Sequence, residues 1–298
     1  MSSTWNRIAR KTGLRFLSKA DLRLLDTLRS ELIPPGFREE DGLAPRYRSG
    51  DEGLLLDAEK MAAFLGPLGD DDCRRLFARL RGDPGINPGF RGVDYAARGL
   101  IHNGFYPTPD AELYAAMIRW FRPTAVTEVG SGYSTAVARA AVDHLGLPSK
   151  IRVIDPAPRR AVENLAHAVE YRRVEDSSLL ADLPGPGTLL FIDSSHVCRR
   201  GGDLPFLYCR VLPSLPPGVL VHVHDVFIPF DYPDVYVRMF YTEQYLLHAF
   251  LAGNPRCEVV FATHFMSRTR AAAMQAVFGE AVGREPIFNG ASFWFQTR

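Results

Sequence analysis

From about residue 108 onward, apolar runs of four to seven residues, rich in Val and Ile, alternate with segments long enough to be helices. No other feature of the chain constrains its fold as strongly. The runs AVTEV (125–129), IRVI (151–154), TLLFI (188–192) and GVLVHV (218–223) are largely continuous rather than strictly alternating. A continuous apolar strand is buried on both faces, which is the condition of a parallel sheet covered by helices. Between these runs STAVARAAVDHL (134–145), AVENLAHAV (161–169) and LPFLYCRVLPSL (204–215) are read as crossover helices. Repeated β-α-β units of this kind give a doubly wound α/β sheet, Rossmann-like in its winding. A long helix at about 235–252 then precedes two more strand candidates, CEVVFA (257–262) and ASFWFQT (291–297). The sheet is therefore expected to be mostly parallel with an antiparallel finish.

Residues 1–104 have a different texture. Helices are predicted at about 20–33, 53–65 and 70–81, the last opened by Asp70-Asp71-Asp72, an anionic start that suits a helix N-terminus. Pro34-Pro35-Gly36 and Gly82-Asp83-Pro84-Gly85 break the pattern between them. The expected division is a helical lid or substrate region at 1–104 and a catalytic sheet domain at 105–298. The basic amphipathic start resembles a transit peptide. It is read instead as a helix, because the pattern of Leu14, Leu22, Leu24 and Leu25 runs straight on into Leu28 and Leu32. A cytoplasmic protein follows as the expectation. Lys occurs at only four positions against abundant Arg, Ala, Leu, Pro and Gly, a skew expected of a GC-rich bacterial genome.

A formal net charge of +1 provides no field for nucleic acid or anionic membrane, and neither is expected as a partner. Cys73, Cys198, Cys209 and Cys257 form no CxxC pair, which argues against a disulfide framework or a zinc knuckle. No apolar run approaches the roughly 18 residues of a membrane span.

The first strand runs into Glu128-Val129-Gly130-Ser131-Gly132-Tyr133-Ser134-Thr135. Glycines here let the backbone turn tightly beyond a strand's carboxyl end, where ligands of open α/β sheets sit. A dinucleotide fingerprint would place Gly or Ala where Thr135 stands. E-x-G-x-G after the first strand instead resembles motif I of the class I S-adenosylmethionine-dependent methyltransferases. The resemblance implies that Glu128, Gly130, Ser131 and Gly132 face S-adenosylmethionine. Asp155, at the end of strand two, would accept the ribose hydroxyls, since an ionised carboxylate is acceptor-only. The bland reading of Asp155-Pro156 is the start of a turn. Val174-Glu175-Asp176-Ser177 is read as the close of strand three, with Asp176, or else Glu175, near the adenine.

Strand four ends in Ile192-Asp193-Ser194-Ser195-His196 and strand five in Val221-His222-Val223-His224-Asp225. Together with Asp203 and Pro217-Gly218 these segments resemble small-molecule methyltransferases with an I-D-G-x-H…D…P-G-G…H-D pattern, metal-dependent natural-product O-methyltransferases among them. Ser194 replaces the usual glycine of that pattern, and Pro217-Gly218 stands in for a double glycine. Relatives that bind a divalent metal at these strand ends imply Asp193, His196, His224 and Asp225 as ligands. Asp193, His196 and His224 are also the implied catalytic residues, with Asp193 close to the cofactor as well. Carboxylates alone suit Mg; imidazoles shift the preference to Mn, Fe or Zn. Alternation along a strand would send His224 and Asp225 to opposite faces unless the strand stops there. His222, one pleat deeper, is read as core.

Phe105 and Tyr106 are expected to cover the cofactor, while Asp110 is read as a helix cap. The aromatic loop Val226–Pro233 would wall the substrate pocket or simply pack. Tyr241, Glu243, Gln244 and Tyr245 match no chemical motif. The expected function is methyl transfer from S-adenosylmethionine to a small-molecule acceptor, at oxygen, with a divalent metal assisting. Some related enzymes use the N-terminal region for dimer contacts, so a homodimer is expected. The competing readings are a cyclase or rearrangement enzyme reusing the same pocket, and an NAD-dependent oxidoreductase.

Overall fold

The computed structural model describes residues 53–178, 180 and 185–298, without the side chains of Val237 and Arg238. The helix expected at 20–33 lies outside these residues. A seven-stranded sheet has the order β3-β2-β1-β4-β5-β7-β6. Its strands are β1 (Ala125–Val129), β2 (Lys150–Ile154), β3 (Ala168–Glu170), β4 (Thr188–Ile192), β5 (Leu220–Val223), β6 (Cys257–Ala262) and β7 (Phe293–Thr297). β1 to β5 are mutually parallel, while β7 runs antiparallel to both β5 and β6. This is the expected doubly wound, Rossmann-like sheet with its antiparallel finish. The reason is visible in the sequence: every residue of β1, β4 and β5 is buried, as continuous apolar strands in mid-sheet must be.

Helices Asp110–Phe121 and Tyr133–His144 pack against each other beside the sheet. The crossover from β4 to β5 is one helical run, Asp203–Phe206, Leu207–Val211 and Leu212–Ser214, whose middle turn is π-helical. Helices Ala58–Leu65 and Asp71–Gly82 match the expected pair. Asp70 caps the second of them by accepting the Cys73 N–H at 2.8 Å. Leu54, Met61, Leu76, Leu80 and Ile101 belong to the same hydrophobic cluster as Val126 and Phe295. The core is therefore continuous across position 104. No helix among the described residues is long and apolar enough to cross a membrane.

Three local expectations fail. Residues 161–167 form no helix but a turn-rich passage leading into β3. β3 itself ends at Glu170, and Val174–Asp176 is a single 3-10 turn beyond it. The long helix expected at 235–252 is divided into a 3-10 stretch, Asp234–Met239, and a helix, Glu243–Leu251. Phe240, in the left-handed region at φ 56°, breaks the two apart.

Candidate active site

The carboxyl ends of the five parallel strands lie side by side, and a cavity of about 700 Å³ opens over them. That volume falls in the range of small-molecule and cofactor pockets. Gly130, Ser131, Asp155, Asp193, His196, His224 and Asp225 line it, so seven of the expected residues meet at one place. Glu128, Gly132, Asp176 and Tyr106 are absent from the lining, each for a definable reason.

Gly130 turns at φ +86°, and a Cβ built on it would stand 1.9 Å from the carbonyl oxygen of Asp193. The missing side chain thus lets the end of β1 press against the end of β4. At Gly132, φ is +148° and nothing lies within 4 Å of where a Cβ would be. Gly130→Ala is therefore expected to cost more than about 3 kcal/mol, by clash and backbone strain together. Denaturant unfolding measures this, and a variant as stable as the parent would contradict the packing account.

Glu128 points beneath the turn and is fully buried. Its carboxyl accepts the Tyr114 hydroxyl at 3.0 Å and the Thr135 hydroxyl, while the Gly132 N–H donates to Thr135 Oγ1 at 3.1 Å. Thr135, at the place of a dinucleotide fingerprint's third glycine, ties the turn to the acid below it. Burial pushes the Glu128 carboxyl up to about 8, against the opposing pull of those hydroxyls. Glu128 supports the turn from below and does not face the cavity as expected.

Asp155 stands at the cavity wall, where Ser131 Oγ donates to Oδ2 at 2.8 Å and the Ala157 N–H to Oδ1 at 2.9 Å. Asp176 sits on the outer side of its 3-10 turn, and the turn presents Val174 and Glu175 to the cavity instead. Tyr106 is buried with its ring 4.8 Å from that of His224, below the site. Its neighbour Phe105, 55% exposed, lines the cavity in its place. Once β3 stops early and residues 103–106 form a tight turn, each contact passes to the adjacent residue.

At the other end of the cavity Asp193 Oδ1 lies 3.1 Å from His196 Nε2 and 3.6 Å from His224 Nδ1. Asp225 Oδ2 lies 3.6 Å from His196 Nε2, and Asp225 Oδ1 lies 3.8 Å from His224 Nδ1 and accepts the Tyr236 hydroxyl at 2.7 Å. Both His224 and Asp225 reach the cluster because β5 ends at Val223 and Asp225 turns into the left-handed region at φ 54°. His196 also has positive φ, 59°. Two non-glycine residues in this sparsely populated region, both within one cluster, mark a place where surrounding contacts override backbone preference. Burial alone would raise the Asp193 carboxyl, but His196 and His224 hold it well below the usual carboxylate range. Burial likewise opposes the charged forms of both histidines. Asp193 and Glu243 nevertheless push His196 well above its ordinary value, and Asp225, Asp110 and Asp193 do the same for His224.

Asp193, His196 and Asp225 each offer one ligand atom, and these atoms all lie within 4.8 Å of one another. His224 is not part of that grouping. Neither of its ring nitrogens makes a hydrogen bond among the described residues, although it is buried. His222 is core as expected, stacked on Trp294 at 3.7 Å with Nε2 2.8 Å from Ser292 Oγ. Asp110 is no cap, since Pro109 occupies the N-cap. Its carboxylate instead accepts the N–H groups of Ala291 and Ser292 at 2.8 and 3.2 Å and lies 3.4 Å from His224 Nε2.

Three contributors carried no motif. Glu243 is fully buried with Oε2 2.7 Å from His196 Nδ1, Tyr208 donates to its other oxygen, and Tyr241 packs on the His196 ring at 4.5 Å. The only available signal was a lone acid among the aromatic residues that open a helix.

Residues 127–226 match the family model of a methyltransferase domain. No curated protein sequence matches the chain. Among solved structures, the chain is similar to an SAH-bound methyltransferase of Podospora anserina, at 15% identity and TM-score 0.40, over 77% of this chain and 88% of that one. A Klebsiella pneumoniae protein provisionally described as an O-methyltransferase is also similar, at 15% identity and TM-score 0.37, over 76% and 90% of the two chains. The matched segment begins inside β1 and ends just beyond β5, so it contains the glycine turn, Asp155, Asp193, His196, His224 and Asp225. Residues 127–226 are thus similar to a methyltransferase domain, and the cavity lies over the strand ends of that segment.

Proposed function

We propose that the protein transfers the methyl group of S-adenosylmethionine to an oxygen of a small-molecule acceptor, assisted by a divalent metal at the ends of β4 and β5. The observation that carries this reading is the meeting of Asp193, His196 and Asp225 in the cavity that also holds the glycine turn and Asp155. The donor set fits a cation. Two carboxylates and an imidazole nitrogen converge, and the buried His224 beside them has no hydrogen-bonded partner. Asp193 and Asp225 would hold the ion, and with His196 Nε2 kept for the acceptor's proton the carboxylate donors suit Mg or Mn. When bound, such an ion orients the acceptor's oxygens and lowers the pKa of a hydroxyl it touches.

The chain's own residues supply alignment and a base. Asp155 would accept the ribose hydroxyls, fixing the cofactor at one end. His196 Nε2 takes the acceptor's proton when the ring is in its neutral form, which is reached against the pull of Asp193 and Glu243 toward the charged form. The freed oxygen pair attacks the methyl carbon while the carbon–sulfur bond breaks toward sulfur, leaving S-adenosylhomocysteine. This is an in-line displacement, so positioning of the two reactants provides most of the acceleration. We further propose that the protein is a homodimer. Light scattering on the purified full chain should give a dimer mass, and a monomer would refute the dimer part of the proposal.

Calorimetry with S-adenosylmethionine tests the core of the reading. Wild type should bind, and Asp155→Ala should bind at least about tenfold more weakly, because one charge-assisted contact is lost. With hydroxylated acceptors, product mass should rise by one methylene. A protein that binds neither S-adenosylmethionine nor S-adenosylhomocysteine would overturn the proposal.

A further inference from the structure

His196 is held from three directions by one short segment. The ring of Tyr241 packs on its imidazole at 4.5 Å, and the N–H groups of Thr242 and Glu243 donate to its backbone carbonyl at 2.8 and 3.2 Å. Glu243 Oε2 meets its Nδ1 at 2.7 Å. The carboxylate has its own support: Tyr208, buried on the π-helical turn of the β4–β5 crossover, donates to Oε1 at 3.0 Å. Tyr208 thus stands behind Glu243, and Glu243 behind His196. Only Nε2 of the imidazole is turned toward Asp193 and Asp225.

Burial raises the Glu243 carboxyl, while His196 and the Tyr208 hydroxyl pull the other way. In its ionised form the carboxylate can only accept, and the 2.7 Å contact then places the proton on Nδ1. We propose that Glu243 is the positioning residue of this site. Its carboxylate keeps a proton on His196 Nδ1 and so commits Nε2 to the face where the acceptor hydroxyl must be deprotonated. A neutral imidazole has one donor and one acceptor nitrogen, and fixing the donor fixes the acceptor. The same contact stabilises the imidazolium formed when Nε2 takes a proton, which is the role of the buried carboxylate in a Ser-His-Asp triad. A residue 47 positions away in sequence therefore decides which nitrogen of His196 reacts.

The inference rests on the reading of His196 as the base, but its test does not require turnover. Proton–nitrogen NMR of the full-length protein should show a downfield, slowly exchanging imidazole N–H that disappears in His196→Gln. In Glu243→Gln, which keeps the shape and removes the charge, that resonance should move upfield and exchange about tenfold faster, since a charge-assisted bond becomes a neutral one. Glu243→Asp should retain part of the shift if the carboxylate itself is what matters. If Glu243→Gln fails to fold, Tyr208→Phe removes only the hydroxyl behind Glu243 and should shift the same resonance. A wild type without the resonance, or a resonance unmoved in both variants, would overturn the assignment of Glu243. Absence of S-adenosylmethionine binding in calorimetry would instead sink the methyl-transfer reading while the resonance still decides the role of Glu243.

Discussion

Asp193→Asn is expected to abolish binding of Mn²⁺ and to lower methyl transfer by about a thousandfold, leaving affinity for S-adenosylmethionine within about threefold. Asp193 and Asp225 both lie within ion-pair reach of His196 and His224, and Asp193 is the nearer to each, at 3.1 and 3.6 Å against 3.6 and 3.8 Å. It is also the one whose backbone closes against Gly130. Asparagine keeps that backbone and nearly the same volume, so the turn and the cofactor end should persist. What disappears is the charge shared by two buried imidazoles. Leaving buried charges unpaired typically costs about 3–5 kcal/mol, so the variant should also be less stable unless a histidine gives up its proton. Calorimetry with Mn²⁺ alone and with S-adenosylmethionine alone separates the two sites. Undiminished Mn²⁺ affinity in Asp193→Asn would remove the metal from this place. Full turnover in excess chelator would remove it from the mechanism.

The second large effect belongs to Glu128 and concerns stability. Its carboxyl is pushed up to about 8 in the folded chain, chiefly by burial, against an ordinary 4.5. Between these values the folded chain holds a proton that the unfolded chain has released, so stability falls as pH rises. The contribution is fully present below the unfolded value and is lost on approaching the folded one. Each unit of difference is worth about 1.4 kcal/mol, so the decline across pH 5 to 8 should amount to a few kcal/mol. Glu128→Gln cannot ionise and should lack this slope, becoming the more stable protein at pH 8 even if it is weaker at pH 5. Denaturant melts at the two pH values measure it. Parallel pH profiles for parent and variant would show that Glu128 stays ionised beneath the turn.

The contrast between Glu128 and Glu243 shows what was legible in the sequence. Continuous apolar strands announced the sheet, because burial on both faces leaves no room for alternation, and the strand ends then located Asp155, Asp193, His196 and Asp225. Glu128 was found by its motif but given the wrong neighbour: spacing identifies a residue and does not tell which side of a turn it supports. Of the expected pairs Asp176 or Glu175 and Phe105 with Tyr106, a strand that stops early and a tight turn bring only Glu175 and Phe105 to the cavity. Glu243 was not legible at all. It comes to His196 from the start of a helix 47 residues further along the chain, and the backbone break at Phe240 that precedes it leaves no compositional trace. The helix expected at 161–169 was read from the length of the segment alone, and residues 161–167 are instead a turn-rich passage into β3.

The position of β7 between β5 and β6 has a consequence for how the chain assembles as it is made. Trp294 on β7 is the surface against which His222 stacks, and the backbone N–H groups of Ala291 and Ser292 satisfy Asp110, 181 and 182 residues earlier. Until residues 291–297 have been synthesised, β5 keeps one edge unpaired and Asp110 keeps a carboxylate without its donors. The half of the sheet that bears the glycine turn can close on local β-α-β contacts, which form early and cheaply. The half that carries His224 must wait for a segment from the other end of the chain, since long-range pairing comes only after a large loop has closed. A nascent chain stalled before residue 291 would thus have its glycine turn in place and β5 still open, an exposed β-edge that a chaperone or another unfinished copy would be able to pair with.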